Sequence, residues 1–426
     1  MKIEKTICTF TAEKLKSPFG FKGGYLSELW QVVCKISAEG VTGVGVGVQS
    51  VLWSDEKVFL CNDEKTGNTF MFKTTEYAAK LLEGRRMTTP VDLTDSIFDE
   101  VYEYAKSLTS EPLLRATFVR NALVAVDNAL WQLYAKINGK QNLLELLGEE
   151  YLPALSFPQE KLSNIPLLSY GVNSAQIKNL LDNGSIILKI KIGNDNSGKM
   201  SKEQMLEWDK SRLLEIHEIA KNYSTNYTIS GKILYYLDAN GKYDTLDRLN
   251  GLTDYAKEIG ALDSILLLEE PFPEEMKIDV SSVPVRIAAD ESVHSEKDVK
   301  ERIELGYGAI TLKPIAKTLS ETLKILKIAF DKGVPCFAAD LTVNPLLVEW
   351  NKNVAARIKP LPDLKIGVLE SNGEQNYSRW EKLKEYHPKA NASFTECKNG
   401  IYTLDQEFYN TSGGIFCPSK YYDNLI

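Results

Sequence analysis

Ile186-Ile-Leu-Lys189-Ile-Lys191-Ile-Gly193 is a short run of β-branched and apolar residues closed by glycine. Residues of this shape favour extended backbone and glycine ends the run, so the stretch reads as a buried strand. Two lysines sit inside it. Side chains two apart on a strand share a face, so Lys189 and Lys191 point one way while Leu188, Ile190 and Ile192 point the other. Taken alone, the stretch fits an edge strand with a solvated lysine face as well as it fits a strand with buried lysines. The rest of the chain decides between them.

Outward from this run, the chain from residue 166 to residue 370 alternates between apolar strand-like segments and amphipathic helical ones. The strands fall at 166–172, 186–192, 232–238, 264–269, 285–290, 309–313, 334–338 and 364–370; helical periodicity marks 201–222, 245–259, 319–330 and 346–358. About eight strands separated by helices predict parallel pairing through right-handed crossovers and favour a closed (β/α)-barrel over an open sheet. The first third reads differently. Strand-like runs at 1–10, 28–36 and 41–49 precede helical patterns at 74–83, 94–107 and 113–137, the last with Ala122, Val126, Ala129, Leu130 and Leu133 on one stripe. The division expected is an α+β domain over 1–150, a barrel over 151–371, and a polar tail, 372–426, returning to the first domain.

Two details of the first domain bear on function. Gly43, Gly45 and Gly47 alternate with valine; the spacing is not that of a dinucleotide fingerprint and more simply leaves one strand face open to close packing. Ser17-Pro-Phe-Gly-Phe21-Lys-Gly-Gly-Tyr25 reads as an aromatic-bearing loop, either a lid or plain surface.

Bulk properties exclude several classes. With 43% hydrophobic and 25% charged residues in 426, the chain has an ordinary globular composition. A net charge of -8 provides no basic field for nucleic acid or anionic lipid, so neither is an expected partner. Six scattered cysteines without C-x-x-C or zinc spacing suit free thiols. There is no signal-peptide pattern and no apolar run of bilayer length, and a cytoplasmic protein is expected.

In a barrel, chemistry lies at the C-terminal ends of the strands. Three successive strands end there in a carboxylate: Asp238 before Ala-Asn240, Glu269 before Glu270-Pro, and Asp290 before Glu291-Ser. An acid between strand and helix is often just an N-cap, but three on adjacent strands would repel one another, a cost that a divalent cation removes. All-oxygen ligation favours Mg²⁺, with Mn²⁺ as a substitute, over zinc. Lys191 lies on one side of the acids in strand order and Lys313, ending another strand, lies on the other. A lysine base needs a lowered pKa; metal charge, Lys189 and burial would all lower that of Lys191. Such a set suits removal of a proton from carbon beside a carboxylate, with the cation stabilising the enediolate.

With these motifs in their order, the sequence resembles the enolase superfamily, in its muconate-lactonizing-enzyme-like subgroup, over nearly the whole chain. The resemblance is carried by Lys189-Ile-Lys191, Asp238-Ala-Asn240, Glu269-Glu-Pro271, Asp290-Glu-Ser292 and Lys313, with Asn121-Ala-Leu-Val-Ala-Val-Asp-Asn-Ala-Leu-Trp131 similar to the helix that completes the capping domain. It implies an α/β fold, a modified TIM (β/α)7β-barrel with an N-terminal α+β capping domain whose loops at 18–25 and 51–54 close over the substrate. It also implies that Asp238, Glu269 (rather than Glu270) and Asp290 bind Mg²⁺. Lys191 and Lys313 are then acid/base catalysts on opposite faces, and Lys189 tunes Lys191 and balances the substrate carboxylate. Asn240, Glu291, Glu370, Asn372, Phe21 and Tyr25 become candidate contacts to a small carboxylate substrate, and a homo-oligomer is expected.

Departures bear on the substrate. Relatives with a histidine base carry it on the seventh strand, where this chain has Phe337-Ala-Ala-Asp340; His217, His294 and His387 read as surface or helix-face residues. Glu370-Ser-Asn372 keeps one acid where dipeptide epimerases have two aspartates, and Leu312-Lys-Pro314 is similar to o-succinylbenzoate synthases. Racemisation or epimerisation of an amino-acid derivative or related carboxylate is the expected reaction. Cycloisomerisation, β-elimination of the dehydratase or o-succinylbenzoate synthase kind, and a non-catalytic metal-binding barrel remain alternatives.

Overall fold

A computed structural model describes residues 1–195 and 200–426, with Phe21 described by its backbone. The first part is an antiparallel sheet of β1 (Lys5–Phe21), β2 (Gly24–Ala38) and β3 (Val41–Gln49) in that order. Helices Glu64–Leu82, Pro90–Thr109 and Ala116–Ile137 complete it. The segment read as a loop at 17–25 is instead the end of the β1–β2 hairpin: after an irregularity between Lys14 and Phe19, Phe19 pairs with Leu26, Gly20 with Tyr25 and Phe21 with Gly24. Lys22 (φ 49°) and Gly23 (φ 79°) form the turn. Two left-handed residues match the twist of paired strands, so the hairpin runs to its tip instead of opening into a loop.

The glycine stripe of β3 explains how the domain closes. A Cβ on Gly45 would lie 2.1 Å from the Ala125 carbonyl oxygen, and one on Gly43 2.2 Å from that of Ala129. Helix Ala116–Ile137 thus packs backbone to backbone on the strand. Its Asn121 accepts from Ser50 N and donates to Val48 O, each at 2.9 Å, which fixes the chain leaving β3. On the opposite side, Asp127 accepts from Ser320 N at 3.1 Å and Trp131 donates to Ser320 Oγ at 3.0 Å. One helix therefore joins the first sheet to the barrel.

The barrel strands are β4 (Lys161–Ile165), β5 (Leu167–Leu168), β6 (Ile187–Lys191), β7 (Leu234–Asp238), β8 (Ile265–Glu269), β9 (Ile287–Ala289), β10 (Ala309–Leu312), β11 (Cys336–Ala338) and β12 (Gly367–Glu370). β4 and β5 are halves of one strand interrupted by Pro166, which has no N–H to donate. β4 pairs in parallel with β12 and β5 with β6, so the sheet closes on itself. The first barrel strand thus begins earlier than the 166–172 expected, and Tyr170–Gly171 is already a turn. Helices Ser174–Asp182, Lys202–Ala220, Leu246–Glu258, Glu296–Glu304, Leu319–Asp331 and Pro345–Ala355 follow six of the strands. Among the described residues the connection from β8 to β9 contains no helix; Pro271, Pro273 and Pro284 interrupt it.

After Glu370 the chain adds β13 (Cys397–Lys398) and β14 (Ile401–Thr403) beside β4 and then crosses to the first domain, where Tyr422 packs with Val33, Val44 and Val46. No helix among the described residues is long and apolar enough to cross a membrane.

Gly45→Ala forces the helix and β3 apart. It should lower the unfolding free energy by about 1–3 kcal/mol in urea titrations; an unchanged midpoint would contradict the backbone-to-backbone packing.

Candidate active site

Parallel strands deliver their C-terminal residues to one rim, and here that rim is charged. Asp238 ends β7 and pairs in register with Glu269, which ends β8; Asp290 follows β9. All three are buried. β6 brings two lysines to the same rim, settling the ambiguity of the 186–193 stretch: the strand is interior, and neither lysine is on a solvated edge.

Lys189 is the hub. Its Nζ lies 3.0 Å from Asp238 Oδ2, from Glu269 Oε2 and from Glu370 Oε2, and donates to Tyr236 OH at 3.1 Å. Burial favours the neutral amine, but Asp238, Glu269 and Glu370 outweigh it and hold the ammonium well above the usual lysine range. Lys191, one layer nearer the mouth, donates to Asp238 Oδ2 at 2.6 Å and Asn240 Oδ1 at 2.5 Å. On the other side of the acids, Lys313 pairs with Asp290 and lies 4.7 Å from the centre of the Trp53 ring. Burial again opposes its charge, and Asp290 with Glu269 overcomes it, so Lys313 also rises. For Lys189 and Lys313, buried carboxylates at contact distance exceed the desolvation penalty.

The acids divide. Burial disfavours ionised Asp238, yet Lys189 and Lys191 hold it well below the usual carboxylate range. Glu269 moves well up, through burial first and then repulsion from Asp238 and Asp290, against the pull of Lys189. Its Oε1 accepts from Thr311 at 2.9 Å, while Oε2 makes no well-directed hydrogen bond despite its closeness to Lys189. Glu270 is separated from Glu269 by geometry: with φ at 38° it turns back, and its Oε2 accepts from Asp290 N, Ser292 N and Ser292 Oγ.

Three hard-oxygen anions on adjacent strand ends, one with an orphaned buried oxygen, have the donor chemistry of a Mg²⁺ site. Among the described residues no three acidic, histidine or cysteine side chains stand as a ready metal cluster. Lys189 lies between Asp238 and Glu269, 3.0 Å from each, and Lys313 pairs with Asp290, so ammonium groups act as counter-ions to the three acids.

A cavity of about 460 Å³, its mouth included, opens above this network. Lys189, Lys191, Asp238, Asn240, Lys313, Glu370 and Asn372 line it. Glu291 does not; it lies behind Asn240, which donates to it at 3.0 Å, and faces a second cleft. Tyr25 is outside as well. Its ring lies over Gly20 and is 55% exposed, because strand alternation sends Gly20 and Tyr25 outward while their neighbours Phe19 and Leu26 line the cavity. The side chain of Phe21 lies outside the described residues. Segment 51–54 is a helical turn rather than a loop and contributes Trp53.

Lys317 and Asp340 were not singled out from sequence. Lys317, one helical turn beyond Lys313, donates to the Asp290 carbonyl at 2.6 Å and its Oδ1 at 3.2 Å. Asp340, two residues beyond the end of β11, lies near a strand end like the other rim acids and could have been found by that signal. Its carboxylate accepts from Asn372 N at 2.7 Å and Leu341 N at 2.8 Å, and burial plus Glu370 pushes it up to about 7. None of the histidines lines the cavity. His217 and His387 are buried rather than on the surface: His217 Nδ1 meets Tyr235 OH and His387 Nδ1 accepts from Lys389 N.

Residues 174–365 match the family model described as enolase C-terminal domain-like. Among solved structures, the chain is similar to a mandelate racemase/muconate lactonizing protein from Herpetosiphon aurantiacus, at 17% identity, TM-score 0.66, covering 95% of this chain and 96% of that one. It is similar to a dipeptide epimerase from Enterococcus faecalis V583 complexed with Mg and L-Leu-L-Tyr, at 18% identity, TM-score 0.66 and coverage of 97% and 99%. It is also similar to an N-succinyl Arg/Lys racemase from Bacillus cereus ATCC 14579, at 17% identity, TM-score 0.62 and coverage of 89% of each chain. These likenesses establish a shared fold. No curated protein matches by sequence.

Replacing the hub leaves several buried acids without a counter-ion. Lys189→Met should lower the unfolding free energy of chelator-treated protein by about 3–5 kcal/mol; a loss under about 1 kcal/mol in denaturant titrations would show that the carboxylates do not depend on it.

Proposed function

We propose, on the premise that residues 174–365 belong to the enolase C-terminal domain-like family, that this chain is a Mg²⁺-dependent isomerase. It removes the proton α to a carboxylate on one face and delivers a different proton to the opposite face, racemising or epimerising an amino-acid derivative or related carboxylate. The observation that carries this reading is the presence of Lys191 and Lys313 in one cavity, on strand ends that flank the carboxylates of β7, β8 and β9 from opposite sides. Two amines on two sides suit inversion, for which one takes the proton and the other supplies its replacement. The epimerases and racemase of similar fold support the same reaction class.

Asp238, Glu269 and Asp290 would hold the metal. Mg²⁺ there would supply charge that stabilises an enediolate. Lys191, braced by Asn240, then accepts or donates a proton on its side, and Lys313, beneath the Trp53 ring, does so on the other. Lys189, tied to Tyr236 and Glu370, keeps a fixed positive charge on the floor for the substrate carboxylate. Phe19, Leu26 and Trp53 form an apolar roof that limits water access.

N-acyl amino acids and dipeptides incubated with the chain and Mg²⁺ in D₂O should gain α-deuterium with inversion, followed by NMR and chiral chromatography. Lys191→Ala and Lys313→Ala should each slow interconversion by about 10²–10⁴-fold, while α-deuteration of one enantiomer survives. An unsaturated or keto product would assign elimination instead, and unchanged rates in both variants would remove the lysines from the chemistry. Saturating Mg²⁺, at about 100 times its Kd, should raise the unfolding free energy by about 2.7 kcal/mol; Asp290→Asn should abolish that gain.

A further inference from the structure

Lys22 sits at the tip of the β1–β2 hairpin, far in sequence from the barrel, and is buried. Its Nζ lies 3.1 Å from Glu291 Oε1 and donates to the Trp53 carbonyl at 3.2 Å. The same Glu291 oxygen accepts from Asn240 Nδ2 at 3.0 Å, and Asn240 Oδ1 holds Lys191 Nζ at 2.5 Å. Trp53, whose carbonyl Lys22 engages, carries the ring lying over Lys313. A continuous set of contacts thus runs from the hairpin tip to Lys191 and Lys313. Beside Lys22 the tip is exposed at Gly23 and Tyr25, while the Lys22 side chain is buried.

A lysine ammonium enters a protein interior at high cost unless an anion meets it there. Glu291 is that anion, and it bears the matching penalty: one of its oxygens, Oε2, is buried without a hydrogen bond. The ion pair between them exists only when the hairpin is seated on the barrel. Asn240 forms a wall shared by the main cavity and the cleft that Lys22 and Glu291 line, so this contact lies at the boundary between them.

We propose that Lys22 is a latch and a positioning residue: its ion pair with Glu291 closes the hairpin over the cavity and, through Glu291 and Asn240, orients the Lys191 amine. The latch stands on the contacts alone; the positioning role rests on the proposed function of Lys191.

The test uses the full chain carrying Lys22→Met, Lys22→Arg or Glu291→Gln, with melting temperature recorded for each. Chymotryptic cleavage within residues 19–26 reports seating of the hairpin without reference to activity. Cleavage should accelerate about 10-fold or more in Lys22→Met and Glu291→Gln and return toward the wild-type rate in Lys22→Arg. In the D₂O exchange assay, Lys22→Met should lose about 100-fold in kcat, the scale of a roughly 1 Å misplacement, with a much smaller change in KM. Wild-type cleavage rates in both Lys22→Met and Glu291→Gln overturn the latch; faster cleavage with unchanged kcat overturns the positioning role. Should the wild-type chain exchange no α-proton of any candidate, the functional reading and the positioning role fall together, and cleavage still decides the latch.

Discussion

The burial of several carboxylates at one end of a barrel is the constraint on which the rest of this molecule depends. Isolated ionised acids in an interior cost several kcal/mol each, and Asp238, Glu269, Asp290 and Glu370 are all there together. Lys189 meets three of them, Lys191 shares Asp238, and Lys313 with Lys317 meets Asp290. Neutral donors serve where a further cation has no room: Thr311 for Glu269, backbone N–H groups for Asp340 and Glu270. The balance leaves Glu269 as the least satisfied member.

This network requires a cover, and the first domain supplies one through ordinary packing. Because β3 has glycine on one face, helix Ala116–Ile137 approaches its backbone, and Asn121 on that helix binds the chain leaving β3. That contact sets where Trp53 sits above Lys313. The hairpin brings Phe19 and Leu26 over the opposite part of the opening, and Lys22 ties its tip to the barrel. Apolar cover over charged floor excludes water from where charge would develop, which strengthens every electrostatic contact inside. The acids of the far wall, Glu370 and Asp340, are engaged by Lys189 and by backbone N–H groups. The wall is thus built to hold its charges internally.

Much of this was legible in the linear chain. Parallel barrel strands are buried on both faces and read as apolar runs, so charged residues within or ending them stand out: Lys189, Lys191, Asp238, Glu269, Asp290 and Lys313 are such residues. Their order along the chain is their order around the rim, because each βα unit adds the neighbouring strand. The glycine–valine alternation of β3 likewise announced a packing face. What depends on side-chain direction at the hairpin tip was not legible. Tyr25 and Leu26 are adjacent and both apolar in part, yet pairing parity sends one out and the other in.

By itself, then, the sequence determined the barrel, its charged rim and the candidate residues, because strand periodicity and burial are local properties with one-dimensional signatures. Tertiary structure alone decided the partnerships. Lys22 lies in the β1–β2 hairpin and Glu291 just after β9, Lys189 and Glu370 are 181 positions apart, and no local pattern encodes which buried charge will answer which. It also decided the direction in which Lys189 and Lys313 shift, since burial and ion pairing act in opposition and only the distances, near 3 Å between Lys189 and its acids, show that pairing wins.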